Sequence, residues 1–132
     1  MISKILLAVS LLWGSVCYSQ QNHYKAYEEG VALLKNGKEM SDVRWVKSTV
    51  KVVFANESIY LYSDKNHVAV YKVSLLKKSN TEDEQRLIFQ SVDPNNEKCT
   101  ITFDRMTDSN KPHQLRIVSG SKVYLYNLTE GS

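Results

Sequence analysis

The chain has few cysteines, with only Cys17 and Cys99 among its 132 residues. Cys17 lies in a segment that we predict to be removed on export, which would leave Cys99 without a partner for a disulfide within the chain. Cys99 alternates with Ile101 and Phe103, a spacing that predicts a buried thiol on the apolar face of a strand. The fold is therefore expected to depend on its core alone, and the flanking residues do not favour a reactive thiol.

The sequence also lacks an apolar run long enough to span a bilayer, which takes about 20 residues. Its N-terminal run extends only from Ile5 to Leu12 and is followed by small, mixed residues at 13–19. A short positive start, an apolar run and small residues form the layout of a secretory signal peptide. We interpret 1–19 as that peptide and expect a periplasmic or extracellular protein. The alternative is a lipoprotein anchored at Cys17, although residues 14–17 depart from the usual lipobox.

Positive and negative charges are nearly balanced in the chain that we expect after export. Its Lys and Arg residues number 17, and the loss of Lys4 with the signal peptide would leave 16 against 14 Asp and Glu. A nucleic-acid-binding surface gathers basic residues on one face or arm, whereas here they are scattered along the sequence. We therefore predict no nucleic-acid partner, and a membrane partner only if Cys17 is lipidated.

The compact motifs of catalysis and metal binding are missing as well. The three histidines, His23, His67 and His113, show none of the spacings with cysteine or carboxylates that mark a zinc site. There is no Gly-x-Ser-x-Gly motif and no glycine-rich phosphate loop. We predict no metal, no cofactor and no enzymatic activity. The alternative is a small secreted hydrolase or transferase whose site is assembled from dispersed residues such as His67, His113 and Asp93.

What the sequence does contain is mainly β patterning. In residues 24–35, the spacing of Tyr27, Val31 and Leu34 predicts a short helix, so that 20–41 would form an N-terminal helix and linker. From residue 42 onward the apolar period is two and turn residues recur at short intervals. The segment 42–132 thus predicts seven strands in an antiparallel meander. We expect a mainly β (α+β) fold with a curled, barrel-like sheet and the helix over one end or side, the alternative being a two-sheet sandwich.

Two segments, 59–62 and 123–126, alternate an aliphatic residue with a tyrosine. In one interpretation the aliphatic residues fill the core and the tyrosines line a half-exposed face as cross-strand partners. In the other, the tyrosines form a platform for a ligand or partner, because tyrosine offers apolar area and a hydroxyl group with little loss of rotamer entropy. Strand pairing decides between the two. The candidate ligand or partner residues are Tyr60, Tyr62, Tyr71, Tyr124 and Tyr126.

These observations favour an exported, non-enzymatic binding or interaction module that uses a tyrosine-rich sheet face or a cavity. Its partner would be a protein or, if the sheet closes into a barrel, a small apolar ligand. In layout, residues 42–128 resemble small exported β-meander proteins of Gram-negative bacteria, with 92–101 as the most characteristic run. That resemblance implies export and a helix followed by a meander; it implies no activity and no site residues.

Overall fold

The computed structural model describes residues 23–35, 39–64, 67–108 and 110–131. The predicted signal peptide and Cys17 lie outside these residues. Ten β-strands account for the regular structure of these described residues: β1 (His23–Lys35), β2 (Glu39–Met40), β3 (Arg44–Lys47), β4 (Lys51–Phe54), β5 (Ser58–Asp64), β6 (His67–Asn80), β7 (Glu84–Val92), β8 (Lys98–Met106), β9 (His113–Ser119) and β10 (Lys122–Glu130). Within the described part of the chain, no helix has the length and apolarity needed to cross a membrane.

Eight of these strands close into an antiparallel barrel. Strands β4 to β10 are hydrogen-bonded neighbours in chain order, and β1 pairs with β10 on one edge and with β4 on the other. The short strands β2 and β3 also pair with β1, farther along its length. The predicted antiparallel meander and its barrel-like curling are confirmed. The sheet is one closed ring, so the alternative of two stacked sheets is wrong.

The predicted N-terminal helix is wrong, because its residues form β1. A β-bulge shifts the pairing of β1 with β10 between Ala26 and Glu28 and leaves Tyr27 outside the ladder. A bulge moves the side chains that follow it to the opposite face of the strand. Because the inward-facing positions of β1 shift by one residue at the bulge, its apolar residues do not keep a period of two. Their spacing resembles that of a helix. The strand that was predicted to cover the barrel as a helix is the one that closes it.

The predicted strand count is also corrected. The expected first strand of the meander is broken at residues 48–50 into β3 and β4. Ser48 explains the break, because its hydroxyl donates to Glu29 and accepts a hydrogen bond from the Val50 N–H at 3.1 Å. Strand β6 is also longer than predicted: it continues to Asn80, beyond the predicted end at Leu76. The predicted linker before residue 42 contains β2.

The barrel interior is filled by one apolar cluster. The ring of Tyr24 packs edge-on against Phe54 and Phe103, with centroids 5.7 Å and 5.1 Å apart. Cys99 is 6% exposed and shares the inward face of β8 with Ile101 and Phe103, which confirms its predicted burial. The buried members are Tyr24, Ala26, Val50, Val52, Ile59, Leu61, Cys99, Ile101, Phe103, Leu115, Ile117 and Leu128.

A second, smaller cluster lies on the outer surface of the barrel. Its buried members are Ala32, Val123 and Leu125, and Val43 is among the residues that pack on it. Gly30 lies on the same face, where a Cβ atom would come within 3.1 Å of Trp45 Cε3. The segment leading into β3 therefore covers the outer surface of β1 and β10. Because of that cover, both faces of β10 are apolar, and the apolar pattern of β10 does not by itself show which way Tyr124 and Tyr126 point.

Candidate functional site

Tyr60 and Tyr62 lie on the outer surface of the barrel. They alternate along β5 with Ile59 and Leu61, which are buried in the interior. The two rings stack with centroids 6.2 Å apart and an angle of 13° between their planes. This pair follows the first interpretation, with aliphatic side chains inside and tyrosines outside.

Tyr124 and Tyr126 have the opposite orientation. In the ladder with β9 they pair with Ile117 and Leu115, which are fully buried in the interior. Directly paired residues of an antiparallel ladder project from the same face, so both tyrosines point into the barrel. Tyr71 pairs with the buried Ile59 and also points inward. The five candidate residues therefore divide into an outer pair and an inner group of three.

Two of the inner tyrosines, Tyr124 and Tyr126, line a cleft of about 420 Å³ at the end of the barrel where β1 continues past its pairing with β4 and pairs with β3. Its apolar walls include Val31, Leu33 and Val46, which are 47%, 50% and 59% exposed. We call this the tyrosine cleft. Its lining residues are Glu29, Gly30, Val31, Ala32, Leu33, Ser41, Asp42, Arg44, Val46, Tyr124 and Tyr126. The wall residues Val31 and Leu33 could not be predicted from the sequence, because their spacing indicates a helix whereas they lie on β1.

Two charged side chains contribute to the tyrosine cleft. Glu29 lies opposite Tyr126 in the ladder, and its Oε2 accepts a hydrogen bond of 2.5 Å from the Ser48 hydroxyl. Arg44 lies opposite Val31 and faces the cleft from β3. Apolar walls with a few placed polar groups are typical of sites for small molecules.

The tyrosine hydroxyl groups in this region resist ionisation. Burial raises the pKa of Tyr126, and the negative charge of Glu29 and the neighbouring Tyr71 add to the effect. Burial raises the pKa of Tyr71 to about 12, with further contributions from Cys99 and Asp93. A phenol that stays protonated keeps its O–H as a hydrogen-bond donor. Tyr126, which lines the cleft, can therefore donate to a ligand at physiological pH.

The dispersed residues of the alternative hydrolase site are not brought together. Asp93 follows β7, where its Oδ1 accepts hydrogen bonds from the N–H groups of its own turn, at Asn95 and Glu97. That turn precedes the first residue of β8, whereas His113 is hydrogen-bonded to the last residue of β8. His67 begins β6, in the hairpin with β5. In the described ranges, no group of three His, Cys, Asp or Glu residues could hold a metal ion.

No protein-family model matches the chain, and neither a curated protein nor a solved structure matches it. The resemblance to small exported β-meander proteins of Gram-negative bacteria therefore stays a prediction.

Proposed function

We propose that this protein is an exported, non-enzymatic binding module whose tyrosine cleft takes a small, mainly apolar ligand. The observation that carries the proposal is the inward orientation of Tyr124 and Tyr126 beside apolar walls that remain open to solvent. Because side chains fill the barrel interior, the ligand would lie in the cleft at the end of the barrel.

The chemistry of the cleft supports a ligand with an apolar body and one polar end. Burying apolar surface contributes roughly 25 cal/mol per Å², and Val31, Leu33 and Val46 offer such surface. Tyr126 supplies a protonated hydroxyl and Arg44 a positive charge. We therefore expect the polar end of the ligand to be a hydrogen-bond acceptor or an anionic group.

Titration of the full chain with the neutral dye N-phenyl-1-naphthylamine tests this proposal. Dye that enters the cleft should gain fluorescence, and Val31→Lys should weaken binding by about tenfold, because the substitution places a charge on an apolar wall. Val68→Lys is the matched control: Val68 is 49% exposed against 47% for Val31, and it lies on the outer surface opposite Tyr62. Equal losses in the two variants, or no fluorescence gain in the parent protein, would contradict the proposal.

Export is tested separately, by the intact mass of the protein recovered from the cell envelope and the medium. Loss of residues 1–19 without added mass supports the signal peptide. A product that begins at Cys17 and carries acyl chains supports the lipoprotein. An unprocessed chain of 132 residues would contradict both.

A further inference from the structure

Strand β3 is an edge of the sheet. Its residues pair with β1 on one side only, and on its other side no strand of the described chain pairs with it. All four side chains of β3 are exposed. An open edge of this kind presents unpaired backbone N–H and C=O groups, which another extended chain can use.

Alternation identifies the backbone groups of β3 that point away from β1. The Ser48 N–H donates to the Tyr27 carbonyl of β1 at 3.2 Å. Because hydrogen-bonding residues alternate along an antiparallel strand, Val46 also directs its backbone groups toward β1. Trp45 and Lys47 direct theirs toward the open edge.

The charges of β3 argue against a second copy of this chain as the occupant. The strand carries two positive side chains, Arg44 and Lys47, and no negative one. Antiparallel pairing of β3 with itself would bring four positive side chains into the added ladder with no negative side chain to balance them, and like charges repel one another. The β1 carboxylates that lie opposite β3 accept hydrogen bonds from neutral groups: Asn127 Nδ2 donates to Glu28 Oε1 at 2.7 Å, and the Ser48 hydroxyl donates to Glu29.

We propose that the open edge of β3 binds an extended segment of a partner protein, in which two apolar residues stand between two acidic ones. The segment would add a strand, a mode in which backbone hydrogen bonds provide affinity and side chains provide specificity. Its apolar residues would lie opposite Trp45 and Val46, which are 40% and 59% exposed. Its acidic residues would lie opposite Arg44 and Lys47. This inference concerns the edge and does not depend on the proposed ligand of the tyrosine cleft.

The two charged residues project from opposite faces of the sheet. Arg44 lies opposite Val31 on the cleft side, and Lys47 lies opposite Glu28 on the outer side. A bound strand would therefore need one acidic side chain on each face, which three-residue spacing in an extended chain provides. An acidic helix would not satisfy both positions and the edge amides together.

Fluorescence anisotropy with labelled peptides tests the charge requirement. The full chain should bind Thr-Glu-Val-Val-Glu-Thr about tenfold more tightly than Thr-Lys-Val-Val-Lys-Thr. The double variant Arg44→Glu, Lys47→Glu should reverse that preference, a gain of binding that misfolding could not produce. Equal affinity for the two peptides in the parent protein, or an unchanged preference in the double variant, would overturn the proposal.

Comparing Lys47→Pro with Lys47→Ala tests the backbone requirement. Both substitutions remove the charge, but only proline removes the N–H that points to the open edge, where proline is tolerated. The proline variant should bind the acidic peptide about three- to tenfold more weakly than the alanine variant. Circular dichroism confirms that both are folded. Equal affinities of the two folded variants, or dimerisation of the parent protein that excludes the peptide, would overturn strand addition by a partner.

Discussion

The backbone N–H of Met106 donates a hydrogen bond of 2.9 Å to Nδ1 of His113. An acceptor nitrogen carries no proton, so the ring is neutral with its proton on Nε2, which lies 3.9 Å from Glu130. The imidazole is 4% exposed and packs against Tyr24. Burial lowers the pKa of His113, the charge of Arg105 lowers it further, and Glu130 opposes this shift.

The lowered pKa of His113 predicts a loss of stability in mild acid. The unfolded chain binds the proton below about pH 6.5, whereas the folded protein resists it, so the free energy of unfolding should fall as pH drops from 6.5 toward the folded pKa. The slope from one group is at most about 1.4 kcal/mol per pH unit. Urea unfolding between pH 7.5 and 5.5 measures it. His113→Gln keeps an acceptor for Met106 and should flatten this part of the curve; an unchanged slope would contradict the assignment.

The absence of a side chain at Gly30 allows the segment that contains Val43 to pack closely on the outer surface of the barrel. A Cβ atom at position 30 would collide with the Val43 side chain and lie 3.3 Å from the Arg44 carbonyl oxygen. Gly30→Ala should therefore lower the free energy of unfolding by about 1–3 kcal/mol, as measured by urea denaturation.

The second substitution Val43→Ala should recover part of the loss caused by Gly30→Ala, because it removes the colliding methyl groups. Gly120→Ala is the control: its φ of 61° makes alanine costly, but no atom lies within 4 Å of the added Cβ. Val43→Ala should leave that cost unchanged. Strict additivity of the Gly30 and Val43 substitutions would show that the predicted collision does not occur.

Tyr71 predicts a loss of stability in alkali. Its pKa is raised to about 12, so the folded state keeps the phenolic proton that the unfolded chain releases near pH 10. The contribution of Tyr71 to stability is complete below pH 10 and is lost as pH rises from 10 toward 12. Absorbance at 295 nm measures phenolate formation, and the difference between the parent protein and Tyr71→Phe should titrate well above pH 10. A difference curve centred near pH 10 would contradict the inward position of this ring.

Local patterns were sufficient for the period and the buried face of a regular strand such as β8. In β8, buried Cys99, Ile101 and Phe103 alternate with residues of the outer surface, so period and face could both be read from the sequence. In β1, the bulge at Tyr27 breaks the alternation. The bulge is visible only once β10 is known to be the partner, because an extra residue is defined by the strand that it fails to match.

The sequence identified Tyr124 and Tyr126 as candidate site residues, but it did not show which way their side chains point. Tyr60 and Tyr124 stand in the same kind of aliphatic–tyrosine alternation, yet one ring lies outside the barrel and the other inside. The difference arises because Leu125 is buried on the outer surface beneath Val43 and its neighbours. The residues 123–126 do not by themselves indicate that Leu125 is covered, because the covering segment, which contains Val43, lies far away in the sequence.

The sequence by itself determined the β character of the meander, its turns, the burial of Cys99 and the absence of any disulfide between described residues. These depend on residue types within a few positions of one another, which set the period and the inward face of an isolated strand. Only the tertiary structure decided that β1 closes the barrel on β10, where Glu28 and Asn127 are hydrogen-bonded across 99 positions. It also decided that Tyr124 and Tyr126 point inward, because a strand with two apolar faces takes its orientation from the long-range contacts that bury each face.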